Sequence, residues 1–464
     1  MQPEEYGKIH FFLGISGLIQ VISMIGSFNS IVVLSSKEKK SHTSLFLLSL
    51  VPSIILSIIA YIIFSRRDVG LLAISYVIFE SVNEVVLGNK FYQKYTKIIL
   101  IQKVSIVVIG IRIYQSNYFI LIIKMAPLKF GIIGCSRIAK RSVIPAILKS
   151  EFAELGIIGS RDTKKAKEFA NEFDCQKFGN YDDVISNNEI DAVYISTPIG
   201  KHEEWVNKAA SAGKHVYCEK SSTDSFTSAK EMVECSKNNN VRIMEGFMFR
   251  FHPQHQKVKE LINNKKIGNV DLFNGSFGFP SFPDGDIRYN KELGGGFLND
   301  TGCYPIHASR MIFDEEPVSV FCHSYNDSKM DVDIKGTSIL TYKNNKTANV
   351  TYANGSYYQA KYEVWGSQGI ISLDRAYSVP PDFITKINLQ YSMENNWDSR
   401  KNEIIKIPAT DHFVKMIDAF CMEITGKEKS SFNFEKELLN QAKVMEAHRL
   451  SNLIHKEKYL DDID

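Results

Sequence analysis

The sequence predicts an α/β fold built on a parallel sheet, preceded by an N-terminal α-helical transmembrane segment and followed by a strand-rich α+β region. Three observations carry this. Between Leu128 and Glu245, short apolar runs alternate with amphipathic stretches. Before them, Phe11–Ser36 and Thr43–Ser65 carry no charge at all. After them, several runs alternate apolar and polar residues, as half-buried strands do. The 464 residues suffice for roughly two or three domains, and the changes of pattern place them at 1–124, 125–247 and 248–464.

Charge marks the first boundary. Residues 1–124 hold 12 Lys and Arg against 6 Asp and Glu, leaving 43 against 46 for residues 125–464. Near-neutrality in the larger part argues against non-specific nucleic-acid binding. All seven Cys follow residue 134 and form no Cys-x-x-Cys pair. They read as reduced thiols of a cytoplasmic protein. No cluster of His, Cys and acids has metal-ligand spacing, so no metal is expected.

Each uncharged N-terminal run can cross the roughly 30 Å hydrocarbon core as a helix. Val69–Leu87 is a weaker span because it contains Glu80 and Glu84, and Ile98–Ile123 is broken by Lys103 and Arg112. Lys37-Glu-Lys-Lys40 and the cluster Lys90, Lys94 and Lys97 prefer the cytoplasmic side, with Arg66-Arg67 between them on the other side. Three spans within residues 11–87 therefore anchor the chain with its larger part cytoplasmic. Pro3-Glu-Glu-Tyr-Gly7, Gly26 and Ser30–Lys37, with the later apolar spans, resemble part of a polysaccharide (O-antigen type) lipid flippase. Most spans of such a transporter are absent, and Met125-Ala-Pro-Leu-Lys129 reads like a native start. Two neighbouring genes merged into one chain account for this simply. If the merger is an artefact, the remainder is a cytoplasmic protein.

In the next part, Leu128–Gly134, Ala153–Ser160, Asp191–Thr197, His215–Lys220 and Val241–Glu245 read as strands. Arg137–Lys149, Thr163–Phe173, His202–Ala212 and Ser225–Asn238 read as the intervening helices. This alternation is a Rossmann unit. Its first turn is Gly134-Cys-Ser136-Arg137-Ile138-Ala139. Against the G-x-G-x-x-G/A pattern, Gly134 and Ala139 match, while Ser136 replaces the glycine that lets backbone approach a pyrophosphate. Ser136 must then fit beside that group or donate its hydroxyl to it. The second strand ends in Gly159-Ser160-Arg161-Asp162. Arg161 suits a ribose 2′-phosphate and Ser160 can add a hydrogen bond, which favours NADP. Asp162 leaves NAD open, or caps the following helix.

Three further stretches are Thr197-Pro198…His202, Gly213-Lys-His-Val-Tyr-Cys-Glu219-Lys220, and Gly294-Gly-Gly-Phe-Leu-Asn-Asp300-Thr-Gly302-Cys-Tyr304-Pro. With the glycine turn, Phe247–Pro253 and Glu363–Gly369, they resemble the glucose–fructose oxidoreductase/inositol dehydrogenase/rhizopine catabolism (Gfo/Idh/MocA) family across nearly all of 128–460. The resemblance implies a Rossmann domain followed by an α+β domain with a large open mixed sheet. Asp271–Phe277, Val318–Ser324, Thr337–Tyr342, Ala348–Tyr352 and Lys361–Trp365 read as strands of that sheet. It further implies pairing into homo-oligomers through the sheet.

The implied chemistry is hydride transfer between a nicotinamide and a hydroxyl or ketone of a sugar or nucleotide sugar. Thr197, Pro198, His202, Glu219 and Lys220 join the turn residues at the cofactor. Lys220 points at the reacting oxygen. Asp300 and Tyr304, four apart, share a face if that stretch is helical. Tyr304 is the implied acid/base, its pKa drawn towards working pH by the Lys220 cation, with Asp300 orienting. Arg250 and His252 line the implied substrate cleft, and His307 stands one turn beyond Tyr304 to assist. Two departures bear on this. Ser136 replaces glycine, and Ser221 stands where relatives have proline, which can shift the loop carrying Lys220. A membrane-attached NADP-binding module without turnover, or the remnant of a flippase, are the alternatives.

Overall fold

The computed structural model describes residues 127–392 and 399–464. The expected spans at 11–87, the stretch 98–123 and the flippase-like segment lie outside the described residues. Among the described residues, no helix is long and apolar enough to cross a membrane.

Six strands, β1 (Leu128–Ile133), β2 (Ala153–Gly159), β3 (Phe178–Gly179), β4 (Ala192–Ile195), β5 (His215–Cys218) and β6 (Ile243–Glu245), pair in parallel in the order β3-β2-β1-β4-β5-β6. Every residue of β4, Ala-Val-Tyr-Ile, is buried, as expected of a strand covered on both faces. The helices are α1 (Ile144–Lys149), α2 (Thr163–Glu172), α3 (Tyr181–Ser186), α4 (His202–Ser211) and α5 (Phe226–Asn238). The helix expected at Arg137–Lys149 begins instead as a π-helical turn, Ala139–Val143, before α1. Pro145 offers no N–H to the carbonyl four residues back, and the register widens there. The short β3 and α3 escape the sequence reading, although Asn180 and Asp183 form a complete capping box at α3.

Beyond α6 (Pro253–Asn263), nine strands form one mixed sheet. They are β7 (Val270–Phe279), β8 (Ser319–Asp327), β9 (Val332–Thr341), β10 (Thr347–Asn354), β11 (Gln359–Gly366), β12 (Gly369–Leu373), β13 (Thr385–Tyr391), β14 (Lys401–Ile407) and β15 (Lys458–Tyr459). Their order is β14-β13-β12-β11-β7-β10-β9-β8-β15, with only β7 and β10 parallel. Helix α7 (Cys303–Phe313), all of whose residues are buried, packs on β7. The closing helices α8 (His412–Ile424) and α9 (Phe434–Ile454) return to the Rossmann sheet. Arg242, beside β6, donates to Glu423 and Glu435 at 2.6 Å each, while Leu438 and Ala442 enter the core around β4 and β5. Residues 125–464 thus form one unit.

Candidate active site

The turn after β1 opens a cavity of about 430 Å³, lined by Gly134, Cys135, Ser136, Ser160, Arg161, Asp162, Lys165, Tyr181, Ser196, Thr197 and Pro198. Gly134 has φ +112°, and a Cβ there would lie 3.1 Å from the Ser196 backbone, so glycine is required. The Ser136 hydroxyl accepts the Ala139 N–H at 3.1 Å and donates to Ser196 Oγ at 2.9 Å; Ser196 in turn donates to the Gly134 carbonyl at 3.0 Å. Ser136 therefore fits the turn by bracing it, and its proton is committed inside the protein. Arg161 stands exposed at the rim beside the buried Ser160, whose Oγ accepts the Asp162 N–H. Asp162 caps α2 by accepting the Lys164 N–H at 2.9 Å. Thr197 contributes a buried hydroxyl without a partner. A glycine cradle, two cations (Arg161 and Lys165) and an orphaned hydroxyl suit a phosphorylated dinucleotide.

Lys220 follows β5, and its ammonium donates to the Asp300 carbonyl at 2.7 Å and to Asp300 Oδ1 at 3.1 Å. One of its three N–H groups remains for a substrate. The same ammonium lies 4.9 Å from the ring centroid of Tyr304. Ser221 Oγ donates to the Asn299 carbonyl at 3.0 Å, tying the lysine loop to the segment that bears Asp300. Asp300 is held by a second cation as well, Arg288 Nε at 2.7 Å. Although burial opposes ionisation, Lys220 and Arg288 pull the Asp300 carboxyl down to about 2. Burial would neutralise Lys220, but Asp300 and Tyr304 overcome it and raise its pKa, keeping it cationic.

Two expectations about this cluster need correction. Leu298–Gly302 is a π-helical turn running into α7, so Asp300 and Tyr304 do not share a simple α-helical face. Lys220 is what joins them. Tyr304 is also not drawn towards neutral pH. Burial raises its pKa more than Lys220 lowers it, and the phenol stays protonated. It is 6% exposed among the rings of Phe247, Phe249, Phe277 and Tyr377. Among the described residues its hydroxyl donates only to Met248 Sδ, at 3.7 Å.

Other expected contacts are turned inward. His202 Nε2 meets the Thr197 carbonyl at 2.8 Å, and Nδ1 meets those of Ser221 and Ser222 at 3.1 and 3.2 Å. It braces the loop after β4 against the lysine loop and is 1% exposed. Glu219 accepts Tyr194 OH at 2.8 Å and the Lys220 N–H at 3.2 Å in the interior. Arg137 is exposed and pairs with Asp286 at 3.3 Å, and Ile138 is half-buried against the core. Arg250 pairs with Glu437 at 3.4 Å and lies 3.8 Å over the Phe432 ring. His307 stacks on Phe247 at 4.1 Å and meets Arg250 at 3.1 Å. His252 caps α6 by accepting the Gln254 N–H. Arg250 and His307 are engaged in ion pairing and stacking and His252 in its cap, while His252 Nε2 and His307 Nδ1 are buried without a hydrogen-bond partner among the described residues. Conversely, Arg288, Ser196, Lys165 and Tyr181 belong to the site, but no motif in the sequence marks them.

A cavity suited to a phosphorylated dinucleotide and the buried cluster of Lys220, Asp300 and Tyr304 meet through one brace, His202, at the carboxyl ends of β4 and β5. That arrangement defines a Rossmann-fold oxidoreductase. Residues 128–247 match the oxidoreductase family with NAD-binding Rossmann fold, Gfo/Idh/MocA, and residues 255–372 match the GFO/IDH/MocA C-terminal domain. The chain belongs to the Gfo/Idh/MocA oxidoreductase family. It is similar to dTDP-3,4-didehydro-2,6-dideoxy-alpha-D-glucose 3-reductase of Saccharopolyspora spinosa, with 33% identity over 69% of this chain and 96% of that protein. The enzyme of the same description from Actinomadura kijaniata is 31% identical over 70% of this chain and 95% of its own. Among solved structures, a 3-ketoreductase from Actinomadura kijaniata in complex with NADP and TDP-benzene superposes with TM-score 0.66 and 31% identity. That match covers 70% of this chain and 98% of the other.

Proposed function

We propose that the protein is an NADPH-dependent reductase that converts a keto group of a nucleotide-linked sugar into a hydroxyl, with Tyr304 as the proton donor. The supporting observation is the position of the Lys220 ammonium, hydrogen-bonded to Asp300 and seated on the Tyr304 ring. Bound NADPH would supply the hydride. Gly134, Ser160, Arg161, Thr197 and Pro198 would hold it, Arg161 taking the 2′-phosphate. The chain's own part is to manage charge as the carbonyl becomes an alkoxide. The free N–H of Lys220 polarises the oxygen, and Tyr304, kept protonated by burial, gives up its proton to it. The lysine cation then stabilises the phenolate. Asp300, fixed by Arg288, keeps Lys220 charged and aimed.

The 3-reductase and 3-ketoreductase relatives, one solved with NADP and a TDP compound, support the cofactor and the substrate class. The test is NADPH consumption by the full-length chain with dTDP- and UDP-linked keto sugars against the free sugars. Turnover confined to the nucleotide-linked set supports the reading, and equal turnover of free sugars contradicts it.

The same proposal gives the chain a membrane anchor in residues 11–87, supported by the two uncharged runs, and a homo-oligomer formed through the outer sheet face. On that face Phe321 and Ile339 pair across β8 and β9 and remain exposed, as do Tyr325 and Trp365. Recovery of the chain in the alkali-washed membrane fraction tests the anchor. Light scattering of F321E/I339E against wild type tests the interface.

A further inference from the structure

The sheet brings a second group of residues to the mouth of the site. Strand β7 ends at Phe279, β11 begins opposite it with Gln359 paired to Gly278, and β12 runs back so that Arg375 bridges Ala360. The segment 375–384 therefore leaves the sheet at the end where Tyr304 stands, and Tyr377 touches the Tyr304 ring at 5.8 Å. Two ring contacts, 4.9 Å from Tyr304 to Phe277 and 6.4 Å from Phe277 to Tyr358, connect the reaction centre to Tyr358. Arg375 Cζ then lies 4.8 Å from the Tyr358 ring and 5.7 Å from that of Phe383, which is 41% exposed.

Arg375 is half-buried and held in place. Its Nη1 donates to Tyr358 OH at 2.8 Å and reaches the Ser378 carbonyl at 3.5 Å, while its own carbonyl accepts from the buried Gln254 at 3.0 Å. Yet no carboxylate pairs with it among the described residues, neither the adjacent Asp374 nor Asp382. The other arginine at this mouth, Arg288, is spent on Asp286 and Asp300. A fixed guanidinium between aromatic faces, without a carboxylate partner among the described residues and joined to Tyr304 through the rings of Phe277 and Tyr358, is suited to a phosphorylated ligand.

We propose that Arg375, with Tyr358 and Phe383, forms the subsite for the nucleoside diphosphate of the substrate, Arg375 binding the diphosphate and Phe383 flanking the base. The proposal rests on the nucleotide-sugar reading above and locates its anchor. The test is calorimetric titration of the NADP-loaded full-length chain with dTDP and with UDP. R375A is expected to weaken binding of the bound nucleotide at least tenfold while its NADP affinity stays at the wild-type value. Y304F should bind that nucleotide like wild type. If wild type binds a nucleoside diphosphate and R375A binds it equally well, the subsite is overturned and the substrate class stands. If wild type binds neither dTDP nor UDP, both fall. Should R375A also lose NADP, R375K carries the test. It keeps the stem over Tyr358 and loses only the planar fork, so it must weaken the nucleotide alone, and equal affinity would overturn the proposal.

Discussion

Replacing Asp300 by Asn keeps the shape of the cluster and removes the one anion between Lys220 and Arg288. Those two cations lower the carboxyl from 3.8 to about 2 in the folded protein. A depressed acid stabilises the fold above its unfolded pKa and loses that contribution as pH falls through the folded value. At about 1.4 kcal/mol per unit, the shift corresponds to roughly 2.5 kcal/mol at pH 7, shrinking to about half by pH 3. D300N should therefore melt a few degrees below wild type at neutral pH. The gap should narrow as the buffer is taken from pH 5 to pH 3 at constant ionic strength. Differential scanning fluorimetry of both proteins across that series is the assay. Equal melting at pH 7, or a gap that stays constant down to pH 3, would refute the assignment of Asp300 as an ionised bridge.

Other outcomes follow from the same geometry. Y304F should lower kcat by about 10²–10⁴, the usual worth of a positioned acid, with NADPH affinity by fluorescence titration unchanged; a loss of affinity instead would assign the ring to packing alone. R161A should raise KM for NADPH about tenfold or more and leave KM for NADH where it was, the usual loss for a charge-assisted hydrogen bond. H202A should raise KM for NADPH and lower kcat together, because both braced loops are released, and H202Q should restore part of each. An H202A effect confined to one constant would argue against the brace. G134A should weaken NADPH binding at least tenfold in the same titration, since its Cβ meets the Ser196 backbone at a φ of +112°.

The parallel half was legible because its strands are near-continuous apolar runs and its turns carry glycine at fixed offsets. The mixed sheet was legible only where alternation is strong. Strand β14, Lys-Asn-Glu-Ile-Ile-Lys-Ile, is mostly exposed, and β15 is two residues long. Neither has a burial pattern to read. Lys220, Asp300 and Tyr304 could be named because they sit in recognisable stretches, and the structure brings these three together. Arg250, His252 and His307 show the limit of that method. A motif gives neighbourhood, but Glu437, more than a hundred residues away, decides where Arg250 points. Tyr304 shows a second limit. Whether lysine charge or burial wins depends on the four rings and the thioether around the phenol, and burial wins.

The proposed reaction moves hydride from NADPH to a carbonyl carbon of a nucleotide-linked sugar. The most direct measurement uses NADPH deuterated on the nicotinamide ring with a dTDP-linked keto sugar, and mass spectrometry and NMR of the product. One deuterium is expected on the carbon that bore the ketone, with the label absent from solvent and no product from Y304F within the time of wild-type turnover. Unlabelled product, or Y304F turning over as fast as wild type, would contradict it.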